Sequence, residues 1–432
     1  MNAVTKSTLS RRGFLAAAAG TAVAATLAAC TTGAAHKGGQ IKFWDMPWGP
    51  TEYSKLGARI TADYKPSGSN LSARYQTIQW ANFIQTFAAG VASKTGPAVA
   101  AGGAFQAYQF DQQGMIAPAD HLLDAWKKNG MYDDFLPGTI ETFKTKNGYC
   151  AIPSQIDMRV WWYRKSVLDK VGVTPPTTWA ELLTVGKELA SAGHYAFGVG
   201  AGAGNNIGSQ ALVSLMINNG GGLFNKDNEI DVVTDRNIET MDFIREMVGA
   251  GIVDPGSVSY TLGNLDTQWK SGAFAMGINT PGLDEQEDEV GDLLVAPPMK
   301  GPHGDLGTLQ YVNNVMMFKN TPSQASSEAF VTYWYKNYGE LWKKSVFASA
   351  LPVLKSVADL PEFKANKQKA EIIKTWQPIA KTYSTLGNTL KPVVASIDSG
   401  AAITNLTQTM LAGKTDSKTA LTTFQNAITT AK

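Results

Sequence analysis

The residue types that most often do chemistry are thinly spread along this 432-residue chain. Its histidines, His36, His121, His194 and His303, are dispersed, with no pair at the separation a zinc site needs, so no metal is expected. Gly198-Val199-Gly200-Ala201-Gly202-Ala203 can be laid on a dinucleotide fingerprint, but it lies mid-chain rather than in a first strand-turn-helix unit and reads as a flexible loop. Carboxylates for glycoside hydrolysis are present, yet none stands in a recognisable catalytic setting. Cys150 sits in the apolar run Tyr149-Cys150-Ala151-Ile152 with no nearby His, as a buried structural thiol would. Against these weak signals the aromatics stand out, with 11 Trp, 14 Tyr and 17 Phe in a chain only 17% charged. Those that are not core would recognise a flat apolar face.

The segments that must position such rings alternate strand and helix. Ile41-Lys42-Phe43-Trp44 and Leu71 to Ile78 read as strands, with apolar residues at helical spacing between them. Phe83, Ile84, Phe87, Ala88 and Val91 mark one helical face, and Pro97-Ala98-Val99-Ala100 reads as a buried strand. This order favours a largely parallel α/β sheet. A second α/β unit begins near Ile156. Thr178 and Glu181 are placed as a capping box, and Tyr195 to Val199, Asn237 to Val248 and Ala273 to Ile278 read as strand, helix and strand. From Ser323 the chain is mostly helical, with Phe330, Trp334, Tyr338 and Leu341 on one face. Ligands of open parallel sheets bind beyond the strands' carboxyl ends. There the chain places Asp45 and Trp48 after the first strand, Gln79 and Trp80 after the second, and Gly103, Phe105 and Gln106 near the third.

The N-terminus is an address rather than a fold element. Residues 1–12 are polar and carry Lys6, Arg11 and Arg12; residues 13–29 are almost all small or apolar, too few to span a bilayer, which needs roughly 20. Ser10-Arg11-Arg12-Gly13-Phe14-Leu15 resembles a twin-arginine export motif and Leu27-Ala28-Ala29-Cys30 a bacterial lipobox whose Cys30 would carry lipid. Removing the leader leaves 35 basic groups of 38 against 36 acidic ones. Such a balance offers no field for nucleic acid. With Cys30 acylated, Cys150 has no partner for an intramolecular disulfide.

The run Gly148 to Asp157, with Trp162-Tyr163-Arg164-Lys165 and Pro175 to Leu182, resembles the central block of the extracellular solute-binding proteins of carbohydrate ABC importers. Lys270 to Pro281 resembles that family's strand and ligand loop, and Gln112 to Pro118 an earlier block. The resemblance implies a two-lobed α/β, periplasmic-binding-protein-like fold of the maltose-binding, type II kind. It would have three hinge crossovers near residues 155, 296 and 350 and a mostly helical C-terminal tail. An export signal over 1–29 and a lipid-anchored linker over 30–40 would precede lobes made of 41–154 with 297–349 and of 155–296 with 350–432. It further implies a monomer outside the cytoplasm, touching the membrane only through its lipid, with no cofactor and no catalytic residue. Its partners would be a di- or oligosaccharide in the cleft and a membrane permease.

The site residues carried over by this resemblance are Asp157, Arg159, Asn205, Asn206, Asn279, Tyr311, Asn313 and Trp376, joining those named after the strands. One departure stands out: Gly282 follows Asn279-Thr280-Pro281 where many relatives carry Trp, which removes a stacking plate. Trp44 and Trp162 fit the core better than that role. A pyranose has one face of C–H groups and a rim of hydroxyls, so aromatic plates cover the face while Asp, Asn, Gln and Arg pair with the rim. An extracellular glycan-active enzyme and a sugar sensor without transport stay open as alternatives, and Arg159 keeps an anionic ligand in view.

Overall fold

The computed structural model describes residues 39–80, 83–287, 289–343, 349–383, 393–398 and 400–430. The twin-arginine motif, the lipobox with Cys30, the linker up to residue 38 and His36 lie outside them. The strands that carry the architecture are β1 (Ile41–Asp45), β2 (Ala73–Thr77), β3 (Val99–Gly102), β4 (Ile152–Met158), β5 (Val160–Arg164), β6 (Met276–Asn279), β7 (Leu293–Val295), β8 (Thr308–Met317) and β9 (Leu351–Pro352).

The first lobe is built on the order β9-β4-β8-β3-β1-β2. β1 pairs in parallel with β2 and β3, as the strand-helix alternation predicts, but β8 enters antiparallel between β3 and β4. β3 is buried along its whole length, whereas β2 at the edge alternates between half-buried and exposed positions. Phe43 of β1 meets Phe330 at 5.3 Å and Trp334 at 4.7 Å between ring centres. Helix Gln324–Lys336, capped by Ser323, thus covers this sheet with the expected aromatic face. Cys150 is buried and unpaired, and burial pushes its thiol up to about 12.

The second lobe holds the antiparallel sheet β6-β5-β7. Tyr195 to Val199 is not a full strand; it makes only the parallel bridges Tyr195 to Phe274 and Gly198 to Gly277. Behind the sheet runs helix Ile207–Asn218, every residue of which is buried. A helix enclosed on all sides must satisfy its own polar groups: Asn218 accepts from Trp179 Nε1 at 2.7 Å and donates to Met299 O at 2.8 Å. Helices Asp235–Gly249, Ala401–Ala412 and Ser417–Thr430 close around it, so the C-terminal tail completes the second lobe.

The crossovers fall later than the positions inferred from sequence. β4 stays paired with β8 to Met158 and runs through Arg159 into β5, which moves the first crossing from 155 to about Arg159. The second runs from Ala296, bonded to Trp161 O, to Thr308 rather than ending at 296. At 350 the chain is still in the first lobe: β9 pairs with β4, and Ser356 N donates to Asp134. It reaches the second sheet at Gln368, whose side chain accepts from Val295 N at 2.7 Å.

Candidate functional site

Between the lobes lies a cleft of about 1900 Å³. Its floor is set by strand register. Asp157 of β4 lies opposite Tyr311 of β8, and Gln155 opposite Asn313, so these four side chains share one face. All four line the cleft together with Arg159. Arg159 is almost fully buried, and three of its five N–H groups are bonded: Nη1 donates to Asp157 Oδ1 at 2.7 Å and to Met158 O at 2.9 Å, and Nε to Gln210 Oε1 at 2.7 Å. Its guanidinium lies 5.4 Å from the centre of the Tyr311 ring. Burial alone would lower its pKa, but Asp157 and its other neighbours hold it raised.

Beneath this pair sits a carboxylate that sequence did not single out. Asp398, from helix Val393–Asp398, accepts from Tyr311 OH at 2.8 Å and from Tyr383 OH. Burial raises its pKa while both phenols, Arg159 and Gln210 pull the other way. Phe105 stands edge-on to Tyr311 and Tyr383 at 5.7 and 5.5 Å. Arg159 is the only cation among the described lining residues, and it is paired with Asp157 and held further by the charge of Asp398.

The aromatic mouth is positioned by Asp45, which itself is fully buried and lines no part of the cleft. Its Oδ1 accepts from Met46 N at 2.8 Å and Trp48 Nε1 at 3.1 Å, and its Oδ2 from Tyr53 OH and Tyr75 OH, both at 3.0 Å. The carboxylate therefore fixes the turn that presents Trp48. Trp48 meets Trp80 edge-on at 4.9 Å, and Trp80 meets Phe83 at 5.4 Å. Trp80 remains 39% exposed although its Nε1 donates to Pro47 O, an open ring face of the kind a sugar plate requires.

From the second lobe come Asn206, Ile207 and Gln210 at the start of helix Ile207–Asn218, with Thr280 after β6 and Thr404, Asn405 and Gln408 on helix Ala401–Ala412. The glycine run also reaches the cleft through Gly202, Ala203 and Gly204, but it is a close backbone approach rather than a flexible loop. A Cβ on Gly202 would lie 2.2 Å from Ser259 O, and one on Gly208 would lie 2.6 Å from Gly200 O.

Of the residues expected from sequence, Trp48, Trp80, Gly103, Phe105, Gln106, Asp157, Arg159, Asn206, Tyr311 and Asn313 line the cleft. Asp45, Gln79, Asn205, Asn279 and Trp376 do not. Gln79 is exposed next to Trp80. Asn205 is spent on Ile207 N and Tyr260 O, and Asn279 Oδ1 on Thr280 N, so both shape loops whose neighbours line the wall. Trp376 is buried and donates to Ala296 O at 2.9 Å, which pins the second crossing instead of stacking on a ligand. Trp44, Trp162 and Trp269 are core, as expected for the first two. Gln155 was missed although it lies two residues before Asp157, where strand alternation places it on the same face.

Such a cleft between two α/β lobes, floored by strands that cross between them, defines a two-lobed ligand-binding protein. The chain belongs to the bacterial extracellular solute-binding protein family, whose model matches residues 49–339. It is 49% identical to a sugar transporter from Arthrobacter chlorophenolicus solved with bound laminaribiose, with a TM-score of 0.87 over 91% of this chain and all of that one. A maltose-bound MalE3 of T. maritima, 17% identical, shares the fold at a TM-score of 0.74 over 91% of this chain and 100% of its own. A Brucella abortus protein described as a binding protein is 24% identical over 73% of this chain and 80% of its own length. Among the described residues no helix is long and apolar enough to cross a membrane.

Proposed function

We propose that the protein is the substrate-binding component of a carbohydrate ABC importer and captures a neutral glucosyl di- or oligosaccharide, with laminaribiose the first candidate. The observation that carries the choice of a neutral ligand is the state of Arg159. Its charge is balanced by the ion pair with Asp157 and by nearby Asp398, and no other cation stands among the described lining residues, so an anionic sugar would meet no uncompensated positive charge and would approach Asp157 at close range. The Trp48–Trp80 pair offers an apolar plate, and Asp157, Gln155 and Asn313 offer acceptors and donors for hydroxyls. The relative that holds laminaribiose supports the substrate class.

In this reading the ligand leaves the cleft unchanged, and Cys30 tethers the protein to the outer face of the cell membrane as a monomeric lipoprotein. Titration calorimetry with laminaribiose, maltose and a uronic-acid disaccharide tests the proposal. Binding of a neutral disaccharide with no heat from the uronate is expected; a tighter uronate complex, or new reducing ends on incubation with laminari-oligosaccharides, overturns it.

A further inference from the structure

We infer that the first lobe carries a further saccharide subsite, a row of glutamine amides that takes the third hexose of a neutral oligosaccharide. The inference rests on the carbohydrate reading above. Helix Gln106–Gln112 places Gln106, Gln109 and Gln112 three positions apart, Gln113 follows four positions after Gln109, and all four line the cleft. The row runs outward: Gln106 is buried with its Oε1 accepting from Gly103 N at 3.0 Å, Gln109 is half-buried, and Gln112 and Gln113 are exposed. At 1.5 Å of rise per residue it extends roughly 10 Å from the central floor toward the rim, and Gln85, near the aromatic mouth, also lines the cleft.

The chemistry of this face is selective. Exposed helix faces normally carry charge, whereas this one carries amides, and the only charged residue of the helix, Asp111, lines no part of the cleft and accepts from Asn147 Nδ2 at 3.1 Å. Each amide offers two donors and an acceptor without a charge to desolvate, which suits hydroxyls that both give and take. Gln85, Gln109, Gln112 and Gln113 make no side-chain hydrogen bond among the described residues, so nothing internal competes for them. The cleft volume of about 1900 Å³ also exceeds the ~300–1,000 Å³ typical of small-ligand pockets.

Calorimetry with laminaribiose, laminaritriose and laminaritetraose, and with the matching maltose series, tests the subsite. Two added hydrogen bonds make the trisaccharide about tenfold tighter than the disaccharide. In Gln112→Ala and in Gln109→Ala/Gln112→Ala that ratio should fall toward one, with the thermal unfolding midpoint confirming a folded protein; Gln112 is exposed, so its variant is not a folding risk. Equal affinities for di- and trisaccharide in the native protein, or a ratio unchanged in both variants, overturn the subsite while leaving the carbohydrate reading standing. Failure of both series to bind overturns the two together.

Discussion

Asp157 is the side chain on which ligand affinity should depend most. One of its oxygens is held by Arg159, and its side chain remains 20% exposed on the cleft floor. Replacing it with Ala removes a charged acceptor for hydroxyls and is expected to cost about 2 kcal/mol of binding; unchanged affinity in calorimetry would show that the ligand sits elsewhere. Asp45 works at one remove. Burial lifts it to about 7 despite its four donors, so the folded chain holds this proton more tightly than the unfolded chain does. Its stabilising contribution is therefore complete below about pH 4 and is lost as the pH rises to about 7. Asp45→Asn keeps an acceptor for Trp48 but cannot titrate, and should make the fall of the melting temperature across that window shallower. Asp284 and Glu287, raised by burial to about 6 and about 7, add to that slope, as do Asp266 and Asp398, which burial also raises. Sequence reveals which residues follow a strand but not which way they turn. Trp48 and Trp80 reach the cleft, whereas Asp45 turns inward among tyrosines contributed by later segments. Asp398 carries no local signal at all, because its role depends on Tyr311, 87 residues away.

Among the elements, the loop from Gly200 to Gly204 couples packing to the site most directly. Gly202→Ala would drive a Cβ into Ser259 O and displace residues that line the second lobe's wall. A loss of about 1–3 kcal/mol in urea unfolding is expected, together with weaker sugar binding; a variant as stable and as tight as the native protein would mean that the loop yields freely. Helix starts were legible because their signals are local. Thr178 caps helix Trp179–Ser191 as expected, although the Glu181 carboxylate reaches back to Thr177 rather than to Thr178. Strand partners were not legible, since pairing joins distant segments: nothing in Thr308–Met317 announces that it will lie antiparallel between β3 and β4. Tyr195 to Val199 reads as a strand by its apolar residues, yet Ala196 N and Phe197 N donate to Ile252 O, so only the bridges at Tyr195 and Gly198 form.

For the molecule as a whole, function lies in the relation between two lobes hinged through Arg159. Arg159 N donates to Leu309 O at 2.9 Å, which ties the first two crossings side by side, while its side chain joins Asp157 of one lobe to Gln210 of the other. A ligand that touches both walls binds the closed form better and shifts the population toward it. Addition of laminaribiose should therefore shrink the radius of gyration in solution scattering and raise the melting temperature with the logarithm of its concentration; a profile unmoved by a ligand that calorimetry shows to bind would argue for a rigid pair of lobes. The two-lobed plan was readable from motifs covering most of the chain, but its boundaries were not, because β4 and β9 keep pairing past the positions that the family resemblance implies. The antiparallel placement of β8 also bears on how the protein is made. Its residues, 308–317, fill the centre of the first sheet, flanked by strands made more than 100 residues earlier. A nascent chain leaving the ribosome carries that sheet as two unjoined parts until nearly three quarters of translation is over, and the second lobe waits longer still, for helices Ala401–Ala412 and Ser417–Thr430.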